Sequence, residues 1–175
     1  MIETAPTDAV LLVRLLTDAG RTVAVAESLT GGAVTDAIVG VPGASQCLRG
    51  GVVAYATDLK ASLLDVDAEL LQVHGPVHAD VARAMAAGVR RLLGADYGIA
   101  TTGVAGPQAQ AGLRPGTFHV AVDGPRGGHV VSVDRPDVAR TRQEIRATAR
   151  DQALALALRC VVADQTAPAR RGSSG

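Results

Sequence analysis

The stretch VAVAESLTGG, residues 23–32, decides how the rest of the chain is read. A short run of small and β-branched apolar residues has the pattern of a strand buried on both faces, over residues 22–26. The run breaks at Glu27 and Ser28, passes through a Thr and two glycines, and resumes helical spacing over residues 32–39. A buried strand that turns through glycine into a helix is the opening unit of an α/β sheet. Ser28 falls just past the strand end, where such sheets place their ligands. Ser and Thr are also ordinary helix caps, so position alone leaves Ser28 open as nucleophile or cap.

Upstream, Val10, Leu11, Leu12, Leu15 and Leu16 recur at helical spacing, with Thr7 placed to cap and Gly20 to stop. Downstream, VPGAS (41–45) reads as a turn, GGVVAYA (50–56) as a second strand, and Thr57 as the cap of the helix DLKASLL. A short helix around residues 68–75 leads to a longer one over 79–93, whose Val81, Met85, Val89 and Leu92 form one apolar stripe before Gly94. Residues 97–103, 116–122 and 128–133 read as three further strands, and about 139–163 as a long closing helix. Helices alternate with strands early and two strands are adjacent late. That order predicts a mixed sheet with helices on both faces, an α/β fold of three layers in a single domain over residues 1–163, with a mobile tail over 164–175.

Composition narrows the function. The 175 residues carry 17 Lys plus Arg against 17 Asp plus Glu. Phe118, Tyr55 and Tyr97 are the only aromatics, so neither a basic groove nor a stacking platform for nucleic acid is present. No apolar run reaches membrane-spanning length, and the first residues lack a basic region leading into an apolar one; the expectation is a cytoplasmic protein. Cys47 and Cys160 stand alone, and His74, His78, His119 and His129 have no ligand spacing, so no metal is expected.

A nucleophilic Ser28 needs a base. No GxSxG elbow surrounds it and no His stands in a partner motif. Lys60 is the only lysine; the other 16 basic residues are Arg. Arg cannot give up its proton, whereas a desolvated Lys whose pKa falls from about 10.4 to roughly 7 or 8 can act as a base. Tyr55, five residues earlier, could orient that amine or relay a proton. The plainer alternatives are an exposed Lys60 paired with Asp58 or Asp65 and a Tyr filling the sheet edge. Arg142, Arg146 and Arg150 share one face near the start of the last helix, either as an anion site or as a solvated face balanced by Glu144 and Asp151.

Taken together, AESLTGG, VPGAS, RGGVVAYATDLKASLLDV, HGPV and ADYGIATTGVAGP resemble the CinA C-terminal domain, the nicotinamide-nucleotide amidohydrolase (PncC) family, from about Thr22 to Leu158. The resemblance implies a stand-alone α/β/α sandwich that hydrolyses the carboxamide of nicotinamide mononucleotide without metal or organic cofactor. It implies Ser28 as nucleophile, Lys60 as its base and Tyr55 as support. Ser45, Thr102 and Arg142 fall on substrate-contacting positions. Backbone N–H groups of the Leu29 to Gly32 turn, Thr30 and Gly31 among them, or of TGVAG with Gly103, are the natural source of donors for an oxyanion. Three departures stand out: Leu29 where the family has Cys, QAQAGLRPGTFHV where it has further glycines, and RTR (140–142) in place of GDR. A catalytically silent nucleotide-binding or protein-interaction module of the same fold is the competing reading. The apolar closing helix suggests a homodimer.

Overall fold

A computed structural model describes residues 6–110, 112–134 and 141–166. The helices are α1 (Asp8–Asp18), α2 (Ala33–Val39), α3 (Thr57–Leu64), α4 (Ala68–His74), α5 (Ala79–Leu93) and α6 (Arg142–Thr166), with one 3₁₀ turn at Ala44–Gln46. The strands are β1 (Val23–Glu27), β2 (Leu48–Val53), β3 (Tyr97–Gly103), β4 (Phe118–Gly124) and β5 (Gly127–Val133). They form one mixed sheet in the order β2-β1-β3-β4-β5. β1 is parallel to both β2 and β3, while β4 and β5 add antiparallel strands on the far side. This is the α/β architecture expected from the alternation of elements.

Side-chain alternation divides the core in two. Val23 and Val25 of β1, Ile99 of β3 and Val120 and Val122 of β4 pack with Leu12, Leu16, Val34, Ile38, Leu154 and Ala157 from α1, α2 and α6. On the other face the sheet presents Ala24, Ala26, Ala100 and Ala121 to Leu64, Val81, Met85 and Val89 of α3 and α5. Small residues there let α5 settle close to the strands. A Cβ on Gly98 would collide with the Ala86 carbonyl, and one on Gly88 with that of Leu64.

Several boundaries depart from the expected ones. The second strand is Leu48–Val53 rather than 50–56, because its pairing with β1 ends at Glu27↔Val53 and the chain then leaves the sheet. Thr57 is the first residue of α3, not its cap; Ala56 holds that place without a side-chain bond. Leu92 is 52% exposed and does not extend the buried stripe of α5. α6 begins at Arg142, where Thr141 and Glu144 form a reciprocal capping box, and it runs past residue 163 to Thr166. Residues 139–140 of the expected helix, and residues 167–175 of the expected tail, lie outside the described residues. The apolar residues of α6 credited to a dimer contact are mostly engaged internally: Leu154, Leu156, Ala157, Cys160 and Val161 are buried. Among the described residues no helix is long and apolar enough to cross a membrane, and no group of three His, Cys, Asp or Glu could hold a metal ion.

Candidate active site

β1 ends on two side chains that go opposite ways. Glu27 turns toward α2 and is completely buried. Its Oε2 accepts from the N–H groups of Gly32 (2.9 Å) and Val34 (3.1 Å), and its Oε1 from the N–H (2.8 Å) and hydroxyl (2.7 Å) of Thr35. Gly32, the N-cap of α2, offers no side chain, so the strand's carboxylate satisfies the helix's free donors instead.

Ser28 turns toward α3. Between the strand and α2 the chain makes a tight turn: Ser28 N–H donates to Thr101 O (3.1 Å) and Gly31 N–H donates back to Ser28 O (3.2 Å). Gly31 and Gly32 take φ of 60° and 102°, the left-handed region that makes this GG pair necessary. The turn is braced from behind by α6, where Arg146 donates from Nε to Leu29 O (3.1 Å) and from Nη2 to Thr30 O (2.7 Å). The Thr30 and Thr101 hydroxyls share a buried hydrogen bond of 2.6 Å.

Lys60 reaches Ser28 from the first turn of α3. Its Nζ donates to Ser28 Oγ (3.1 Å) and to Ala54 O (2.8 Å). Lys60 is 1% exposed and has no carboxylate partner among the described residues; Asp65 pairs instead with Arg91. With two neutral acceptors and no counter-charge, burial pushes the ammonium from an ordinary 10.5 down to about 8. A hydroxyl and an amine poised near neutral pH, in contact, are the components of a nucleophile and its base.

The pair opens onto a cleft of ≈ 110 Å³ whose walls include Leu29, Pro76, Val77, Thr102, Gly103 and Ala105, with Tyr55, Gln108, Gln110 and Arg142 also lining it. Arg142 donates from Nη1 to Gly106 O (2.8 Å) and from Nη2 to Tyr55 OH (3.0 Å). Thr102 is buried and gives its hydroxyl proton to Pro76 O (2.7 Å), tying β3 to the segment between α4 and α5. At Gly103 a Cβ would strike Phe118, so the residue's small size fits the crowded β3–β4 pairing at the cleft's edge.

The structure thus gathers Ser28, Lys60, Tyr55, Thr102, Gly103 and Arg142 around one cleft. It corrects three other expectations. Ser45 is exposed on the 3₁₀ turn before β2, beside a different surface hollow at the start of the strands. The length of β1, roughly 16 Å at about 3.3 Å per residue, separates that end of the sheet from Ser28. Thr30 and Gly31 do not line the cleft either: the Thr30 hydroxyl is engaged by Thr101, and the Gly31 N–H is engaged inside the turn. Tyr55 lies past the end of β2 and is 60% exposed; its hydroxyl bonds Arg142 rather than Lys60. The contact of Arg146 with the turn, and the glutamines at residues 108 and 110 on the cleft wall, are what sequence reasoning missed. For Arg146 the signal was the stripe of three arginines, which the structure divides among different partners: Arg142 at the cleft, Arg146 on the turn, Arg150 on Asp151.

Comparison with known proteins agrees with the fold. The pattern of the CinA C-terminal domain matches residues 7–161. A CinA-like protein of Frankia casuarinae is 52% identical over 128 residues, 71% of this chain and 30% of that protein. One of Gloeobacter violaceus is 46% identical over 159 residues, 90% of this chain and 36% of that protein. The chain therefore spans about a third of the length of these curated relatives. Among solved structures, a competence-damaged protein (CinA) superfamily protein of Klebsiella pneumoniae superposes with a TM-score of 0.83 at 27% identity, covering 89% of this chain and 96% of that one. The competence/damage inducible protein CihA of Agrobacterium tumefaciens gives a TM-score of 0.79 at 30% identity, over 92% and 99% of the two chains. With nearly the whole described fold matched in both sequence and structure, the chain belongs to the CinA C-terminal domain family.

Proposed function

We propose that the chain is an amidohydrolase that converts nicotinamide mononucleotide to nicotinic acid mononucleotide and ammonia, with Ser28 as nucleophile and Lys60 as general base. The observation that carries the reading is the 3.1 Å contact between Ser28 Oγ and a buried lysine amine whose pKa is lowered to about 8.

In its neutral form the Lys60 amine donates to Ala54 O and turns its lone pair to the Ser28 hydroxyl. Ser28 Oγ attacks the carboxamide carbon as Lys60 takes the hydroxyl proton, giving a tetrahedral oxyanion. Lys60 then returns the proton to the nitrogen, the C–N bond breaks, and ammonia leaves an ester on Ser28. Water attacks that ester with its proton passing to Lys60. Collapse of the second tetrahedral intermediate frees the carboxylate, and Lys60 reprotonates Ser28.

Arg142 lines the same cleft as Ser28 and Lys60. With the carboxamide at Ser28, the cation of Arg142 is offered to the 5′-phosphate by exchanging its present neutral acceptors, Gly106 O and Tyr55 OH, for an anion. The test is ammonia release from the purified protein with nicotinamide mononucleotide, nicotinamide riboside and simple carboxamides such as nicotinamide. Turnover of the nucleotide in preference to the others is the expected result. No release from any of them, with the protein folded, would leave the silent binding module as the better reading.

A further inference from the structure

The turn that carries Ser28 has its peptide groups almost fully assigned. Gly31 N–H bonds Ser28 O, Ala33 N–H bonds Thr30 O, and Gly32, Val34 and Thr35 give their N–H groups to Glu27. The start of α2 is thus occupied by a carboxylate and offers nothing to an incoming anion. Among the described residues, the N–H groups of Leu29 and Thr30 alone in this turn meet no acceptor, although both residues are buried. A buried N–H without a partner is costly, and of the two residues Leu29 lines the cleft, where an entering acceptor can meet its N–H.

Their direction is set from the opposite side. The Leu29–Thr30 peptide is trans, so its carbonyl and its N–H point opposite ways. Arg146 reaches from α6, on the sheet face away from Ser28 Oγ and Lys60, and holds the Leu29 carbonyl toward itself. The Thr30 N–H is thereby turned away from α6 but stays fully buried, which leaves the Leu29 N–H as the free donor of this turn on the cleft wall. We infer that Arg146 is a positioning residue for the Ser28 reaction: by holding the Leu29 and Thr30 carbonyls behind the turn, it fixes the turn so that the free Leu29 N–H, at the cleft wall beside Ser28, meets the oxygen that becomes negative when Ser28 adds to a carbonyl. Arg146 touches no substrate in this scheme. A lysine cannot replace it fully, because the two carbonyls take two nitrogens of one rigid fork, Nε and Nη2.

The inference rests on the amidohydrolase reading, and its test separates the two. In the full chain, Arg146→Ala and Arg146→Lys are compared with wild type for ammonia release from nicotinamide mononucleotide. Loss of an aligned oxyanion donor is expected to lower kcat by about 10²-fold in Arg146→Ala while leaving KM within about threefold, with Arg146→Lys between the two. Added methylguanidinium is expected to restore part of the Arg146→Ala rate and to leave wild type unchanged. The pH midpoint of activity stays where Lys60 sets it. In parallel, diisopropyl fluorophosphate labels Ser28: the Oγ–P bond forms, P–F breaks, fluoride leaves and the hydroxyl proton goes to Lys60. The phosphoryl oxygen needs the same donor, so labelling followed by intact mass is expected to slow by a similar factor in Arg146→Ala and to recover with methylguanidinium. Wild-type kcat and labelling rates in both variants would overturn the inference, as would a loss that tracks the folded fraction by circular dichroism and does not respond to methylguanidinium. Should Arg146→Ala fail to fold, Arg146→Lys carries the same comparison. If wild type releases no ammonia from any carboxamide, the amidase reading fails, and the labelling ratio alone decides the role of Arg146.

Discussion

Adjacent residues at the end of β1 serve two buried ionisable groups in opposite ways. On the α2 side the Glu27 carboxylate is surrounded by four donors, three of them backbone N–H groups. On the α3 side the amine that meets Ser28 has two neutral acceptors and no acid nearby. Every partner of the carboxylate is a donor that favours its charge. The amine is held close to losing its proton because little around it does. One face of the strand end therefore fixes geometry, and the other stores reactivity. The turn between them links the two.

The largest effect expected from breaking this arrangement is on the reactive side. Ser28→Ala should lower ammonia release by at least about 10⁴-fold with the fold retained by circular dichroism. Lys60→Arg, which keeps the charge but cannot act as a base, should lower kcat by about 10³-fold. Activity of wild type should rise with pH and level off above about 8, where Lys60 becomes neutral. A flat pH profile, or an active Arg variant, would make Lys60 a charge rather than a base.

On the fixed side the loss should appear in stability. Glu27→Gln keeps the shape but sets an NH₂ against backbone donors. With two donors left unmatched at about 1–3 kcal/mol each, it should cost roughly 3 to 4 kcal/mol in denaturant melts. A variant as stable as wild type would mean that the carboxylate is not what holds α2 to the strand.

The contrast is sharpest in the pH dependence of Lys60→Met. Unfolded, Lys60 keeps its proton to about 10.4; folded, to about 8. Between those values the unfolded chain binds the extra proton, so wild-type stability rises with pH across the window. At pH 7 the buried ammonium costs about 3 kcal/mol that Met does not incur. Met leaves the Ala54 carbonyl without its donor, at about 1–3 kcal/mol, so the two proteins should have similar stability at pH 7. Wild type should gain on the variant by up to about 3 kcal/mol between pH 7 and 10.5 in paired urea melts. A difference independent of pH would show that burial does not depress the amine.

The smallest effect belongs to a third charge, exposed and only lightly held. Arg142→Ala should lower kcat/KM for the nucleotide by about ten- to a hundred-and-fifty-fold, the equivalent of about 1.5 to 3 kcal/mol for a charge-assisted bond to phosphate, with little change on the riboside. Equal losses on both substrates would make Arg142 a brace for Tyr55 and Gly106 instead.

Local signals were read well from the sequence. α5 and β3 lie at their expected bounds, since Gly94 stops the one and the uncharged run YGIATTG marks the other. Ser28 and Lys60 stood out because a lone lysine and a strand-ending serine are visible without knowing what lies between them. Where a boundary depends on a partner, reading failed: β2 ends where β1 ends, and nothing in GGVVAYA records that. Some signals were present and overlooked, such as Asp67 capping α4 and the Thr141–Glu144 box at the start of α6. The support behind the serine was not legible, because the contacts of Arg146 with the turn lie 116 and 117 residues apart in the chain. The misplaced Ser45 shows the opposite error: two turns can carry similar serines and sit at opposite ends of one strand.

That distance has a consequence for how the protein is made. Synthesis proceeds from the N-terminus, so Ser28 leaves the ribosome early and Lys60 soon after, whereas Arg146 follows only when α6 has been translated. Until then the turn lacks the guanidinium that holds its two carbonyls, and the first core layer lacks the apolar face of α6. A nascent chain stalled between β5 and α6 thus carries the serine on an unbraced turn beside the lysine of α3. Pairing across so long a separation also places this contact among the slowest to form during folding. Completion of the site is thereby tied to completion of the domain.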